Sequence, residues 1–400
     1  MSLLYTQDHL EFYAGARDFA KRVVEPGLRE RDQDAKPDSN IYLKMGEDGY
    51  LGVCIPEKYG GLGLDYHTLA LLSDAFEYSD TSARVIISVH NGLYSLALLQ
   101  WGTEAQKQHY LVPVAQGKQI ATFCLTEPAA GSDVAGIQTF AEKRGDRYVL
   151  SGEKIWISLS TVADQYLVMA YTDRQKQADR DHGGISAFIV ERTWKGVKPY
   201  DLHGKLGVRA GKTGGVVFEN VELPAENMLG QPGEGFKIAM SALDNGRYTV
   251  AAGCVGLMKA CLDASVKYCN ERTTFKKPIG KHQLVQQMIA SMRQAIDVGE
   301  LLIWKCGELK NKAQRCTREV SMAKWTNTVA SQQCADHAIE IHGAYGYSNE
   351  FPVERFWRNS RGAVIYEGTK EVHQIMQAEY ALGYREDHVL RCELPGWPMG

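Results

Sequence analysis

The periodicity of this chain changes twice along its length, and that alternation restricts its architecture more than any other feature. Residues 1–120 read as helical. Phe12, Ala16, Phe19 and Val23 recur at spacings of four, three and four, the stripe of an amphipathic first helix. Thr6 is placed to cap it, and Pro26 lies near its end. Further helices are expected over 41–51, 66–78 and 88–101. The loop Glu57-Lys58-Tyr59-Gly60-Gly61-Leu62-Gly63 carries three glycines but no phosphate-loop lysine pattern, so it reads as a connection. Near residue 121 the pattern becomes β-rich. Short runs at 120–126, 148–151, 154–158, 165–171, 185–190 and 215–221 are divided by turns such as Arg144-Gly145-Asp146 and His182-Gly183-Gly184. Their connections are too short for helical crossovers, which predicts an antiparallel sheet. From Gly233 the helical period returns, and Val285, Met288, Met292, Ala295, Gly299 and Leu302 form the seam of a long bundle helix.

The expected fold class is therefore mainly α with a central β domain. An N-terminal helical domain (1–120) precedes a middle antiparallel β domain (121–230), and a C-terminal four-helix bundle (231–400) follows. Four hundred residues are more than one core holds comfortably. A formal net charge of −3 argues against nucleic-acid binding, which rests on an excess of Lys and Arg. No apolar run reaches the ~18 residues of a membrane span. The first residues lack the basic and apolar regions of a secretory signal and the Arg-rich character of a transit peptide, so a bacterial-type cytoplasmic location is expected. Nine cysteines without a CxxC suggest neither a disulfide framework nor a metal site. Cys124, Cys254 and Cys334 read as small core residues.

Four short motifs carry chemistry. In Thr126-Glu127-Pro128-Ala129-Ala130-Gly131-Ser132-Asp133, a strand runs into a small-residue loop that a flat ring or a phosphate could approach closely. Gly152-Glu153-Lys154-Ile155-Trp156-Ile157-Ser158 offers an aromatic and a hydroxyl on one strand. Arg272-Thr273-Thr274-Phe275, followed by Gln283, sets a guanidinium for phosphate beside an aromatic. Tyr366-Glu367-Gly368-Thr369 holds one carboxylate at a helix entrance, with Thr369 as the cap. Each alone is explained by core packing or helix-end chemistry.

Together, and with Lys58-Tyr59-Gly60-Gly61, Lys205-Leu206-Gly207, Leu243-Asp244-x-x-Arg247 and His342-Gly343-x-Tyr345-Gly346, they resemble the acyl-CoA dehydrogenase family over nearly the whole chain. The resemblance implies FAD bound between the β domain and the bundle. Thr126 and Ser132 would line the flavin, with Trp156 and Ser158 beside its ring. Arg272, Phe275 and Gln283 would reach the pyrophosphate and adenine of a neighbouring subunit's cofactor, in a homotetramer. The segment from Glu340 to Ala344, including Gly343, would touch the same cofactor, and Thr369 and Glu371 would complete the site. Asp244, Arg247, Ser132 and Gly368 would face the acyl-CoA. Glu367 matches the catalytic base, with a flavin accepting the β-hydride. An ordinary glutamate, with a pKa near ~4.3, is too weak a base for a thioester α-proton. Burial beside the acyl group is expected to raise that value. Position 246, which bears the base in some relatives, is Gly here. Leu159-Ser160-Thr161, Glu340 and Lys276 depart from the common pattern.

For the acyl group, the informative residue is Arg84, with Ser88, Glu77 and Tyr366. Glutaryl-CoA dehydrogenases look similar here, their arginine holding a distal carboxylate. Glu77 and Tyr366 resemble the type that also decarboxylates. On the residues alone, Glu77, Asp80 and Arg84 are three and four apart and could instead pair at a helix surface. The first expected substrate is glutaryl-CoA or another carboxylated acyl-CoA. The alternative is a short- or branched-chain acyl-CoA, with Arg84 structural. Electron-transferring flavoprotein is the expected acceptor, with Trp156 and Glu226 at positions linked to its docking, although Glu226 also reads as a solvated loop acid. A flavin-dependent oxidase or monooxygenase on the same fold, and a redox-silent acyl-CoA-binding protein, are the other classes. An intact Glu367 argues against the monooxygenase, and the intact FAD-facing motifs argue against the silent protein.

Overall fold

The computed structural model describes residues 4–398. Helix α1 (Gln7–Phe19) starts at Thr6, whose hydroxyl accepts the His9 N–H while His9 Nδ1 accepts the Thr6 N–H, a capping box closed by histidine. Ala16 and Phe19 are buried on the expected stripe. The predicted helix over 41–51 is shorter, Ser39–Glu47, because Gly49 turns the chain with a φ of 76°. Helix α2 (Tyr66–Ser79) is buried almost throughout and is capped by Asp65. The chain bends at Asp80, and α3 (Thr81–Ile87) runs on through a π-helical stretch, Ser88–Ser95, to Trp101. The helix expected from 88 therefore begins seven residues earlier, since Asp80 breaks the backbone and Thr81 restarts it.

The middle region holds β1 (Ala121–Cys124), β2 (Phe140–Arg144), β3 (Arg147–Ser158), β4 (Gln165–Tyr171), β5 (Ile185–Glu191), β6 (Val197–Asp201), β7 (Thr213–Pro224) and β8 (Met228–Leu229). Their order is β6-β7-β3-β2-β4-β5-β8, with β1 also beside β4. The expected antiparallel sheet needs one correction. β1 pairs with β4 in parallel, Ala121 opposite Gln165, and β2 meets β4 in parallel at Phe140 and Tyr171. The β2–β3 hairpin carries the chain out and back, so a parallel neighbour forms with no helical crossover. The runs at 148–151 and 154–158 are one strand. It slips register against β7 between Leu150 and Gly152 and again between Ile155 and Ile157.

Five helices complete the fold: α4 (Gly235–Glu271), α5 (Gln283–Asn311), α6 (Thr317–His342), α7 (Val353–Ala363) and α8 (Lys370–Leu382). A hairpin of β9 (Thr273–Thr274) and β10 (Lys277–Pro278) joins α4 to α5. Helix α4 is long and apolar enough to cross a membrane by length and composition, but it lies mostly buried as the bundle's central helix. On α5 the buried stripe is Met292, Ile296, Gly299, Ile303 and Cys306, whereas Ala295 and Leu302 are only half-buried. The seam is rotated from the expected one because Glu300 also faces inward, where Lys259 bridges it (2.8 Å) to Asp74 (2.7 Å). All nine cysteines are free thiols, and Cys124, Cys254 and Cys334 are buried as expected.

Helices α2 and α4 touch backbone to backbone. A Cβ on Gly256 would stand 2.0 Å from the Asp74 carbonyl oxygen, so no side chain fits there without separating the helices. Overpacking of this kind costs about 1–3 kcal/mol. Gly256→Val is expected to lower the thermal midpoint of the purified protein by several degrees; an unchanged midpoint would contradict the close packing.

Candidate active site

The turn between α7 and α8 is built to hold one carboxylate. The N–H groups of Ile365 and Tyr366 return to the Gly362 carbonyl, and that of Lys370 returns to Val364. Two consecutive residues then take positive φ, Glu367 at 55° and Gly368 at 98°. The first is costly for any residue with a Cβ, by about 1–2 kcal/mol. Thr369 caps α8, accepting the Val372 N–H as expected from its position. The conformation carries the Glu367 side chain onto Gly246 of α4, where a Cβ would lie 2.3 Å from Oε2 and 2.6 Å from the Leu93 side chain. Glycine at 246 is thus the space that the carboxylate occupies.

The residue as a whole is only half-buried, yet Oε2 is sealed and has no hydrogen-bond partner among the described residues. Burial pushes the carboxyl up to about 7, against the opposing pull of Arg84, Lys324 and Arg247. The protein's own packing is enough for this rise. Arg247 Nε donates to the Glu367 carbonyl at 3.0 Å, and Nη1 lies 3.4 Å from Asp244. Thr317 donates to the other Asp244 oxygen at 2.6 Å. Lys324 donates to the Gly368 carbonyl at 2.6 Å. His373 lies against the same turn, its Nδ1 2.9 Å from Ser321 Oγ, and burial holds its pKa down at about 3, so the ring is neutral.

A second polar cluster joins this one through Tyr366. Arg84 is 1% exposed. Its Nε donates to Glu77, its Nη1 to Ser88 (3.1 Å) and its Nη2 to the Tyr366 hydroxyl (2.5 Å). Thr249 donates to Ser88 at 2.7 Å, and Thr81 to Glu77 at 3.0 Å. Burial works against the charge on Arg84, but Glu77 outweighs it and holds the guanidinium above its ordinary pKa. Gly253 leaves room for the pair, since a Cβ there would lie 2.3 Å from Glu77. The pairing of Glu77 with Arg84 is real, then, but the surface setting is not: Glu77, Asp80 and Arg84 are all buried.

The remaining expected site residues form two other groups. Ile155 N–H donates to the Thr126 carbonyl, which stitches the small-residue loop to β3. Lys154, fully buried, reaches Glu127 (2.7 Å) and the Leu125 carbonyl (3.0 Å), and Glu127 accepts N–H groups from Gln138 and Thr139. Beside this anchored loop Trp156 takes a φ of 61° at the second register slip and stands 61% exposed. Ser132 is exposed, and Ser158 is half-buried with its carbonyl taking the Thr122 hydroxyl. The other of these groups lies at the α4–α5 hairpin, where Phe275 (φ 48°, 89% exposed) projects beside exposed Arg272 and Gln283. Glu340, Gly343 and Glu371 are exposed at helix ends. Among the described residues, no hydrogen bond joins either group to the Glu367 cluster.

Trp156, Phe275 and Glu367 are bulky or charged side chains in the left-handed region, which such residues occupy only under constraint. Three family models now account for the whole arrangement. The acyl-CoA dehydrogenase N-terminal domain matches residues 6–118, the middle domain 122–221 and the C-terminal domain 233–382. The chain belongs to the acyl-CoA dehydrogenase family. Among its relatives, the mitochondrial short-chain specific acyl-CoA dehydrogenase of Rattus norvegicus is 38% identical over 366 residues, covering 92% of this chain and 88% of the relative. Glutaryl-CoA dehydrogenase of Desulfococcus multivorans is 38% identical over 375 residues, with 92% and 95% covered. A solved glutaryl-CoA dehydrogenase–glutaryl-CoA complex superposes with a TM-score of 0.89 at 35% identity, covering 95% of this chain and 96% of that one. A chain from the structure described as the electron transferring flavoprotein of Acidaminococcus fermentans gives 0.92 at 38% identity, with 96% and 100% covered.

Acyl-CoA dehydrogenases are flavin-dependent oxidoreductases that use FAD. The residues here fit such a group. Trp156 presents an uncovered aromatic face beside a loop in which a Cβ on Gly131 would meet nothing within 4 Å. Sequence reasoning missed Lys324, His373 and Thr249. Ser321, Lys324, Thr328 and Ser331 recur at spacings of three, four and three, a polar stripe that the sequence alone assigns to solvent and that the structure buries.

The raised Glu367 pKa makes a stability test. Its folded value lies above the unfolded one, so the burden of burying an ionised carboxylate appears as pH rises from about 4.5 through about 7. Glu367→Gln is expected to raise the thermal midpoint relative to the parent protein at pH 8, and the difference is expected to close as the pH falls below about 4.5. A constant difference across that range would contradict the raised pKa.

Proposed function

We propose that this acyl-CoA dehydrogenase oxidises a carboxylated acyl-CoA thioester, with glutaryl-CoA as its substrate, and that Arg84 holds the distal carboxylate. One observation carries the choice. A guanidinium has five N–H donors, and Arg84 spends three of them on Glu77, Ser88 and Tyr366. Among the described residues one donor on each terminal nitrogen is left without an acceptor, in a buried setting one residue away from Glu367 through Tyr366. That fork suits a carboxylate.

Glu367 takes the α-proton. It acts as a base only when ionised, so the reaction favours pH above about 7. The Glu367 N–H has no backbone acceptor among the described residues, which leaves it available to the thioester carbonyl as charge develops there. Arg247 and Asp244 face the CoA ester, with Ser132 and Gly368 along it. FAD, when bound, supplies the acceptor for the β-hydride. Thr126, Ser132, Trp156, Ser158, Thr369 and Glu371 would hold it from one chain. Arg272, Phe275, Gln283, Glu340 and Gly343 would hold it from a neighbour in a homotetramer, as the uncovered Phe275 suggests. Electron-transferring flavoprotein is the proposed acceptor, docking where Trp156 and exposed Glu226 stand. Glu77 and Tyr366 also suit decarboxylation of the oxidised product.

A second reading has an observation of its own. Arg84 is already neutralised by Glu77, so the pair could simply close a pocket for a short acyl chain. Anaerobic titration of the holoenzyme with glutaryl-CoA and butyryl-CoA separates the two. Glutaryl-CoA is expected to bleach the visible flavin band and butyryl-CoA not to, with carbon dioxide release reporting decarboxylation. Bleaching by butyryl-CoA alone would make Arg84 structural. Arg84→Lys keeps the charge beside Glu77 but loses the fork, and is expected to weaken glutaryl-CoA by at least about tenfold. Glu367→Gln is expected to keep FAD and abolish reduction; reduction at the parent rate would remove Glu367 from the mechanism.

A further inference from the structure

The strongest unexplained feature near the site is a buried ammonium. Lys324 is fully buried on α6, among Ser321, Thr328 and Ser331 on the same face. An ammonium carries three donors, yet among the described residues Lys324 uses one, on the Gly368 carbonyl. A lysine serving only to fill this space would be replaced by an apolar residue at a gain, because burying a charge with so few partners is costly.

Its position gives the reason. The two carbonyls around the left-handed turn are each held by a cation from a different helix. Arg247 of α4 holds that of Glu367, and Lys324 of α6 holds that of Gly368. His373 of α8 packs against the same backbone, its Nε2 lying 3.2 Å from where a Gly368 Cβ would be. Among the described residues Glu367 Oε2 has no hydrogen-bond partner, and the hydrogen bonds from Arg247 and Lys324 run to the turn's backbone carbonyls.

We propose that Lys324 is a positioning residue for the base: by holding the Gly368 carbonyl it locks the turn that lays the Glu367 carboxylate over Gly246. The inference rests on Glu367 being the base. The groups facing Glu367 are Arg84 from α3, Arg247 from α4, Lys324 from α6 and neutral His373 from α8, with Tyr366 beside it and Glu77 behind Arg84. Burial holds Lys324 down at about 8, so it is still charged across the pH range in which Glu367 itself titrates. Removing that charge raises the Glu367 pKa, since a neighbouring cation favours the carboxylate.

The test compares Lys324→Met, which fills similar volume without charge, with Lys324→Arg, in the FAD-loaded enzyme. Two readouts are taken across pH. One is the rate of anaerobic flavin reduction by the acyl-CoA that reduces the parent enzyme. The other is the infrared carboxyl band of Glu367 without substrate, assigned by difference against Glu367→Gln. Lys324→Met is expected to move both the acid limb of the rate profile and the infrared titration upward by about one pH unit. Its limiting rate at high pH is expected to fall at least about tenfold, because the base is no longer aligned. Lys324→Arg is expected to return both midpoints toward the parent values. If Lys324→Met does not yield yellow protein, Lys324→Gln is read by the same criteria. Parent-like midpoints and limiting rate in the uncharged variant would overturn the proposal. If that happens while Glu367→Gln is inactive, only the role of Lys324 falls; if Glu367→Gln reduces flavin normally, the base assignment falls first.

Discussion

Everything at this site depends on one turn in which a glutamate takes a left-handed backbone conformation. The strain there has two consequences that an ordinary helix start would not provide. It turns the Glu367 carboxylate inward onto α4, where only glycine leaves room. It also points two carbonyls outward, toward Arg247 and Lys324. A carboxylate in such a place would be a strong base if it were merely desolvated, but it would then stay protonated. The surrounding cations offset part of that cost, and the balance falls near neutrality.

The same trade recurs at Arg84. A buried ion pair is weak support for stability, because desolvating both partners cancels much of their attraction. Here each partner also takes a hydroxyl: Ser88 and Tyr366 on Arg84, Thr81 on Glu77. Such a pair holds a guanidinium rigidly in an otherwise apolar region lined by Val250, Cys254 and Ala363. Rigidity and two remaining donors are what selective recognition of a carboxylate requires. Tyr366 links this group to the base, so the two ends of an acyl chain would be read by adjacent residues.

Much of the fold was legible because its signals are local. The change from a period near four to short β-rich runs and back separated the helical parts from the sheet, and the caps at Thr6 and Thr369 stood in the sequence. What was not legible depended on contacts between distant segments. The parallel pairing of β1 with β4 follows from the β2–β3 hairpin between them, whose turn at Arg144-Gly145-Asp146 was legible but whose first strand, Phe140–Arg144, was not. The buried stripe of α5 differs from the expected seam because Glu300 turns inward toward Lys259. For the site, Glu367 could be picked out by its motif, but its left-handed backbone could not. The spacing of Glu77, Asp80 and Arg84 suggested a surface pairing, and only the packing of α2 and α3 under α4 puts that pair inside. Lys324 passed unnoticed because a lysine on a bundle helix reads as solvated until the helix is seen to be covered on that face.

The central claim is that one acyl chain spans from Glu367 to Arg84. The most direct measurement is a crystal structure of the Glu367→Gln holoenzyme with glutaryl-CoA bound, since that variant cannot consume the ligand. The distal carboxylate is expected on the two N–H groups of Arg84 that have no acceptor among the described residues, with the α-carbon beside the side chain of residue 367. An acyl chain whose carboxylate lies away from Arg84, or whose α-carbon is out of reach of residue 367, would contradict it.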